Sequence, residues 1–256
     1  MGRGTTRLFA ILMPWGRVGS NLVTSSLMAS ADIEIDNEPT TRLKTFGLRK
    51  GLSSATIAAQ QLEHLSSFRA ANRDAGAAVG LKLSYRSLIA PHYYMERLAG
   101  LGFRPIIILR HNFLRCAVSQ LRAVARAEAQ DKGQRIWRSP WAVAVDEPKP
   151  GPTHIDTGEA IRLTHEFEKY HWALLDSAAT HFGDAAVHIE YRELAADPEA
   201  TIRKLVALIG LPSPGRVCVP EQKATSDSLS DDITNYAEFA QAIQAAGFGR
   251  FLEAEL

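Results

Sequence analysis

Cysteine is scarce in this chain: only Cys116 and Cys218 occur, far apart and flanked by no metal-ligand spacing. That supports neither a disulfide framework nor a zinc site, and a reducing, cytoplasmic location is the expectation. An excess of one charge is also missing. Lys and Arg number 29 against 28 Asp and Glu, a formal net charge of +1. Without a dense basic surface the chain is not expected to bind nucleic acid, so any anion site must be local. Long apolar runs are absent too. The stretch from Leu8 to Met13 is too short for the apolar region of a secretory signal. Nothing approaches the roughly 20 apolar residues of a membrane span, which leaves at most peripheral membrane contact. Met1-Gly2 with Thr6 formally fits a myristoylation pattern, a match of low specificity beside a strand that begins almost at once.

What is present is ordinary for a globular domain: 256 residues, 46% hydrophobic and 22% charged. That length buries a substantial core as one domain over 1–256, or one domain with an insertion. Strand-like and helix-like stretches alternate, the pattern of an α/β fold with a largely parallel sheet. Strands are expected at Leu8 to Met13, Val79 to Ser84, Arg104 to Arg110 and Ala186 to Tyr191, with a short one at Ile33 to Ile35. Apolar residues at i, i+3, i+4 predict helices at Gly19 to Ala29, Ser54 to Asp74, His92 to Leu101, Phe113 to Gln130 and Gly158 to Phe182. Another helix is bracketed by Asp197 as N-cap, Pro198 in its first turn and Gly210 as its stop. From Asp131 to Pro152 the periodicity breaks up around Trp137, Pro140, Trp141 and later prolines. A segment this long without regular structure is a candidate acceptor loop or lid.

The stretch Met13-Pro-Trp-Gly-Arg-Val-Gly-Ser-Asn21 joins the first strand to the first helix. Such a junction points backbone N–H groups and the positive end of a helix dipole at one spot, which favours an anion. Gly16 and Gly19 permit close backbone approach, Ser20 offers a hydroxyl and Arg17 a bidentate fork. A tight strand-to-helix turn would use the same glycines. A nucleoside triphosphatase loop needs Lys followed by Ser or Thr after the second glycine, and neither stands here, which counts against metal-assisted triphosphate hydrolysis.

Pro14-Trp-Gly-Arg-Val-Gly-Ser-Asn-Leu22 resembles the 5′-phosphosulfate loop of sulfotransferases that use 3′-phosphoadenosine 5′-phosphosulfate (PAPS). Arg17 matches the family's basic residue, Gly19 its glycine, and Ser20 and Asn21 its hydroxyl pair, with Gly16 and Val18 completing the loop. Residues 106–123, Ile-Ile-Ile-Leu-Arg-His-Asn-Phe-Leu-Arg-Cys-Ala-Val-Ser-Gln-Leu-Arg-Ala, resemble its 3′-phosphate motif. Ser119 matches the motif serine. The spacing to the basic residue lands on His111 with Arg110 beside it, so both are candidates. Residues 189–212 are similar to the family's strand, Tyr-x-x-Leu turn, Asp-Pro-Glu and closing helix, and Tyr191 is implied as an adenine neighbour. Residues 222–239 resemble the C-terminal loop and helix of bacterial carbohydrate sulfotransferases. Lys223 is there a candidate to close over the nucleotide phosphates within a C-terminal region spanning 213–256; a solvated polar loop is the alternative.

The resemblance implies a P-loop-like central parallel sheet flanked by helices and PAPS as sulfuryl donor, with no metal required. It implies a carbohydrate or glycolipid acceptor, in the manner of enzymes acting on trehalose and related glycans, and a homodimer. Arg17 would stabilise the leaving phosphate. Glu38, in Ile-Asp-Asn-Glu-Pro-Thr-Thr-Arg-Leu-Lys44, matches the position of that branch's catalytic carboxylate and is the candidate base; His92 and His111 are reserves. A surface carboxylate beside the turn at Pro39 is the bland alternative for Glu38. The rival functions are a P-loop kinase and an inactive nucleotide-binding relative. Arg42, Lys44, Arg49 and Lys50 read as a solvated face, Trp137 and Trp141 as sugar platforms or loop anchors, and Lys82 has no assigned role.

Overall fold

The apolar run near the N terminus becomes the middle strand of a five-stranded parallel sheet. The computed structural model describes residues 6–73, 78–133 and 137–253. Along the chain, β1 (Arg7–Met13) leads to α1 (Ser20–Ser30), β2 (Ile33–Asn37), α2 (Pro39–Arg49), α3 (Ser54–Ala71), β3 (Ala78–Ser84), α4 (Pro91–Gly100), β4 (Arg104–Leu109) and α5 (Phe113–Asp131). Then come β5 (Val143–Ala144), α6 (Thr157–Phe182), β6 (Val187–Glu190), α7 (Tyr191–Ala196), α8 (Pro198–Ile209), β7 (Glu221–Gln222) and α9 (Tyr236–Ala245).

The large sheet runs β2-β3-β1-β4-β6, and every pairing in it is parallel. A parallel sheet with both faces covered needs strands apolar on both sides, which is why β1 reads as a run rather than an alternation. Phe9, Ile11 and Met13 enter one core cluster with residues of α1, α5, α8 and α9, while Ala10 and Leu12 enter another with residues of α3 and α4. Gly80 makes room for the first: a Cβ there would lie 2.3 Å from the Phe9 ring.

Helix starts follow the caps in the sequence. Ser53, Asn112, Asp156 and Asp197 each accept a backbone N–H in the first turn of α3, α5, α6 and α8. Gly210 ends α8 in the left-handed conformation, with φ 86°.

Several expectations are corrected. The fourth strand stops at Leu109, leaving Arg110 just past its end. Tyr191 opens α7 instead of closing a strand, so the Tyr-x-x-Leu motif is a helical turn. The basic stretch after Glu38, to which no element was assigned, lies on a helix, α2, packed on α3 and β3; Arg42, Arg49 and Lys50 are exposed, in keeping with a solvated face. The segment from Asp131 to Pro152 is not wholly irregular: β5 pairs antiparallel with β7 of the C-terminal region. Nearby, Arg122 is ion-paired with Asp232 and donates to the carbonyls of Pro150 and Gly151 at 3.0 and 2.9 Å. Met1 and Gly2 of the low-specificity myristoylation match, Asp74, positions 134–136 of the 131–152 segment and the last three residues of 213–256 lie outside the described residues. Among the described residues no helix is long and apolar enough to cross a membrane.

The strand order fixes where a ligand belongs. From β1 the chain moves to the β2 side of the sheet, and from β4, its neighbour, to the β6 side. The carboxyl ends of β1 and β4 therefore diverge and open a crevice between them.

Candidate active site

The loop after β1 forms the floor of that crevice. Trp15 stacks on Phe167 with ring centroids 4.5 Å apart, and the Arg86 guanidinium sits 3.7 Å over the Trp15 ring. Val18 is buried in the core. Between these anchors Arg17 takes a left-handed conformation, φ 67°, rare for a residue with a side chain, and Gly19 follows with φ 82°. At Gly19 an added Cβ would lie 2.7 Å from Leu194 Cδ2 and 3.2 Å from Tyr191 Cδ2, so the backbone packs directly on α7. No side chain caps the first turn of α1 and no acidic residue stands in it. The N–H groups there lack an intrahelical acceptor by construction of the helix.

Arg17 reaches across the crevice. Its Nε donates to Ser119 Oγ on α5 at 3.0 Å, and its Nη1 to the Trp141 carbonyl at 2.9 Å. Arg110 donates to the Arg17 carbonyl at 3.1 Å and stacks 4.1 Å from the Tyr191 ring centre. Burial, then the neighbouring Arg110, lowers the Arg17 guanidinium to about 10, and burial with Arg17 and Arg122 lowers Arg126 to about 10. Cations packed closely enough to depress one another form a site that an anion would relieve.

On the opposite side Glu38 is the N-cap of α2 in a left-handed conformation, φ 51°, held by its N–H to the Lys82 carbonyl at 2.9 Å. Its Oε1 lies 3.0 Å from Lys82 Nζ and its Oε2 accepts from Thr41 Oγ1 at 3.2 Å. Lys82 also donates to Asn21 Oδ1.

Arg17, Arg110, Ser119, Asn21, Glu38 and Thr41 line one cavity of about 520 Å³. Of the sequence candidates, Gly16, Arg17, Gly19, Ser20, Asn21, Glu38, Arg110, Ser119, Tyr191 and Lys223 face it. Val18 does not, because it packs into the core beneath the loop. His111 lies outside, half-exposed, with Nε2 3.1 Å from Glu190 Oε2, and His92 pairs with His181 at 3.0 Å, also away from the cavity. Lys223 is ion-paired with Asp227 at 2.5 Å. Trp141 lines the cavity, whereas Trp137 donates Nε1–H to the Pro148 carbonyl at 2.8 Å and anchors its own loop.

Two residues of the site escaped the sequence reading. Lys82 is a lone lysine in a strand until β2 and β3 pair and set Asn37 opposite it. Glu221, on β7, faces the cavity; burial pushes its carboxyl up, against the pull of Ser25, Lys82 and Arg17. No local signal marked either one, since each gains its neighbours from pairing between distant strands. Among the described residues no group of three or more His, Cys, Asp or Glu is placed to hold a metal ion.

No protein-family model matches the chain, and no curated protein matches it. Among solved structures it is similar to a sulfotransferase from Alicyclobacillus acidocaldarius, at 14% identity and a TM-score of 0.52, covering 96% of this chain and 92% of that one. Matches with TM-scores of 0.42 and 0.38, each at 14% identity, are the sulfotransferase domains of the Synechococcus PCC 7002 olefin synthase and of the curacin biosynthetic pathway. The former covers 93% of this chain and 85% of that one, the latter 80% and 74%. The first of these likenesses establishes the architecture: a parallel sheet flanked by helices, in the fold of a bacterial sulfotransferase.

Proposed function

We propose that the chain is a sulfotransferase that takes the sulfuryl group from PAPS and passes it to an acceptor hydroxyl, with a carbohydrate or glycolipid as the acceptor class. One observation carries the reading: Arg17, Arg110, Ser119 and the uncapped start of α1 converge on one cavity at the β1/β4 crevice, and a carboxylate, Glu38, faces them within it. The residues present fit such a donor. A buried arginine whose guanidinium is lowered by burial and by Arg110, a serine hydroxyl bonded to it and the uncapped first turn of α1 suit a doubly phosphorylated nucleotide.

PAPS, when bound, supplies the sulfuryl group and a bisphosphate leaving group. Arg17, Ser20 and the α1 N–H groups would hold the anion where charge develops, which is their contribution to rate. Arg110 and Ser119 would hold the 3′-phosphate, and Tyr191, stacked on Arg110, would flank the adenine. Lys223, on the loop opposite, would close over the phosphates. Glu38 would accept the acceptor hydroxyl's proton as attack proceeds. The β5–β7 flap, with Trp141 and Glu221, would keep water from the reacting groups.

Calorimetric titration without added metal, with 3′-phosphoadenosine 5′-phosphate and separately with ATP and 5′-AMP, tests the donor. Preference for the bisphosphate is expected; Mg²⁺-dependent preference for ATP would turn the reading to a kinase. Turnover of PAPS then separates an enzyme from a protein that only binds the nucleotide.

A further inference from the structure

Lys82 is 3% exposed, on the carboxyl half of β3. A buried ammonium is costly unless it is paired and hydrogen-bonded, and this one is paired with Glu38 and bonded to Asn21. The same two residues are joined through their backbones, since Glu38 N–H donates to the Lys82 carbonyl. Glu38, Asn21 and Thr41 all line the cavity, whereas Lys82 stands behind them and does not. Its charge therefore meets the cavity only through the side chains in front of it.

We propose that Lys82 is a positioning residue for the transfer: it fixes the direction of the Glu38 carboxylate and, through Asn21, ties that carboxylate to the first turn of α1. The inference rests on Glu38 being the base. With Oε1 held by Lys82, only Oε2 is left to exchange its Thr41 partner for an acceptor hydroxyl. As the acceptor oxygen bonds to sulfur, the bond from sulfur to the bisphosphate oxygen breaks and that oxygen leaves with the electron pair. The acceptor's proton passes to Glu38 Oε2 and from there to solvent; Lys82 keeps its own protons throughout.

The test is PAPS turnover, with trehalose as acceptor and with water alone, in Lys82→Met, Lys82→Arg, Glu38→Gln and the Lys82→Met/Glu38→Gln pair. A misplacement of about 1 Å costs on the order of 100-fold, so Lys82→Met should lower kcat about that much. Its affinity for 3′-phosphoadenosine 5′-phosphate should fall by less than about tenfold, because freeing Asn21 loosens one residue of the cradle while the Arg17–Ser119 pair stays in place. Lys82→Arg, which keeps the charge, should recover most of the loss. On the Glu38→Gln background the Lys82→Met change should cost nothing further, because its partner is already disabled. An equal loss on both backgrounds, or an unchanged kcat in Lys82→Met, overturns the inference. Full activity in Glu38→Gln alone instead removes Glu38 as base and leaves the donor assignment standing. If Lys82→Met does not fold, Lys82→Gln is measured in its place. The ¹⁵N signal of the Lys82 ammonium gives a readout without turnover: it should be protected from exchange in the unmutated protein and exposed to it in Glu38→Gln, and equal exchange in both would count against the link.

Discussion

Arg17 Nε donates to Ser119 Oγ at 3.0 Å, joining residues 102 positions apart and bridging the carboxyl ends of β1 and β4. The two candidate phosphate contacts, one for the leaving-group anion and one for the 3′-phosphate, are thus already bonded to each other. If Arg17 acts on the leaving oxygen, Arg17→Ala should lower kcat by about two orders of magnitude, the scale of losing one such donor. Steady-state kinetics checks this, and an unchanged kcat would remove Arg17 from the mechanism.

Ser119→Ala should weaken binding of 3′-phosphoadenosine 5′-phosphate by more than it weakens 5′-AMP, since only the former carries the 3′-phosphate. A lost hydrogen bond to a charged group costs about 1.5–3 kcal/mol, or more than tenfold in affinity. Equal losses for the two ligands, read by calorimetry, would reject the assignment.

Glu38→Gln removes a base and leaves Arg17, Arg110 and Ser119 in place, so turnover should fall about 10²–10⁴-fold, to a rate still measurable, while nucleotide affinity stays within about threefold. The paired titration and rate measurement decides it; retained activity would redirect attention to Glu221, the other cavity carboxylate.

Glu221 also makes the site pH-sensitive. Burial favours its protonated form, and an anion nearby would favour it further. Affinity for the bisphosphate should therefore fall as pH rises and the carboxylate forms. Glu221→Gln should bind the nucleotide about fivefold tighter at neutral pH, worth ~1 kcal/mol of relieved repulsion, with a flatter pH dependence. Identical pH profiles for the two proteins would dismiss Glu221 from the donor's surroundings.

His171 should contribute to the loss of stability in acid. It is 1% exposed, and burial with His111 nearby lowers its imidazole to about 4. The folded protein keeps it neutral, so its full stability is present above the usual histidine range. Stability is then lost as pH falls from about 6.5 to 4, at most about 3 kcal/mol. His171→Phe should remove that slope, which denaturant unfolding at pH 7 and pH 4 would reveal as a smaller difference between the two.

Gly19→Ala should be destabilising where Gly16→Ala is not. The left-handed backbone at Gly19 costs about 1–2 kcal/mol with a Cβ, before its clash with Leu194, while a Cβ at Gly16 meets nothing within 4 Å. Thermal unfolding of the two variants separates them.

The sheet was legible because parallel strands covered on both faces are nearly continuous apolar runs, as β1 and β4 are past their first residue and as β3 is apart from Lys82 and Ser84. The helix after Glu38 was not legible: two threonines and Gly47 weaken its propensity, and the face it buries is Pro39, Thr40 and Gly47 instead of large apolar residues. The glycines and Arg17 marked the loop after β1 as a candidate anion site, and the structure places it at the cavity, yet sequence spacing left Arg110 and His111 as equals. They separate only because β4 ends at Leu109, so that Arg110 turns into the crevice and His111 turns toward Glu190. Lys82 and Glu221 remained hidden because each is made functional by strand pairing across many residues, which no local pattern encodes.

The short β5–β7 ladder has a consequence for how this scaffold diversifies. The Gln222 side chain donates to the carbonyls of Ala144 and Glu147 at 2.8 and 2.7 Å, so two stretches far apart in the chain behave as one hinged panel. One carries Trp141 and Val143, the other Lys223 and Thr225, all facing the same cavity. A loop graft on one stretch would have to keep its bonds to the other, so a change of lining on this side of the cavity would have to be made in both stretches together.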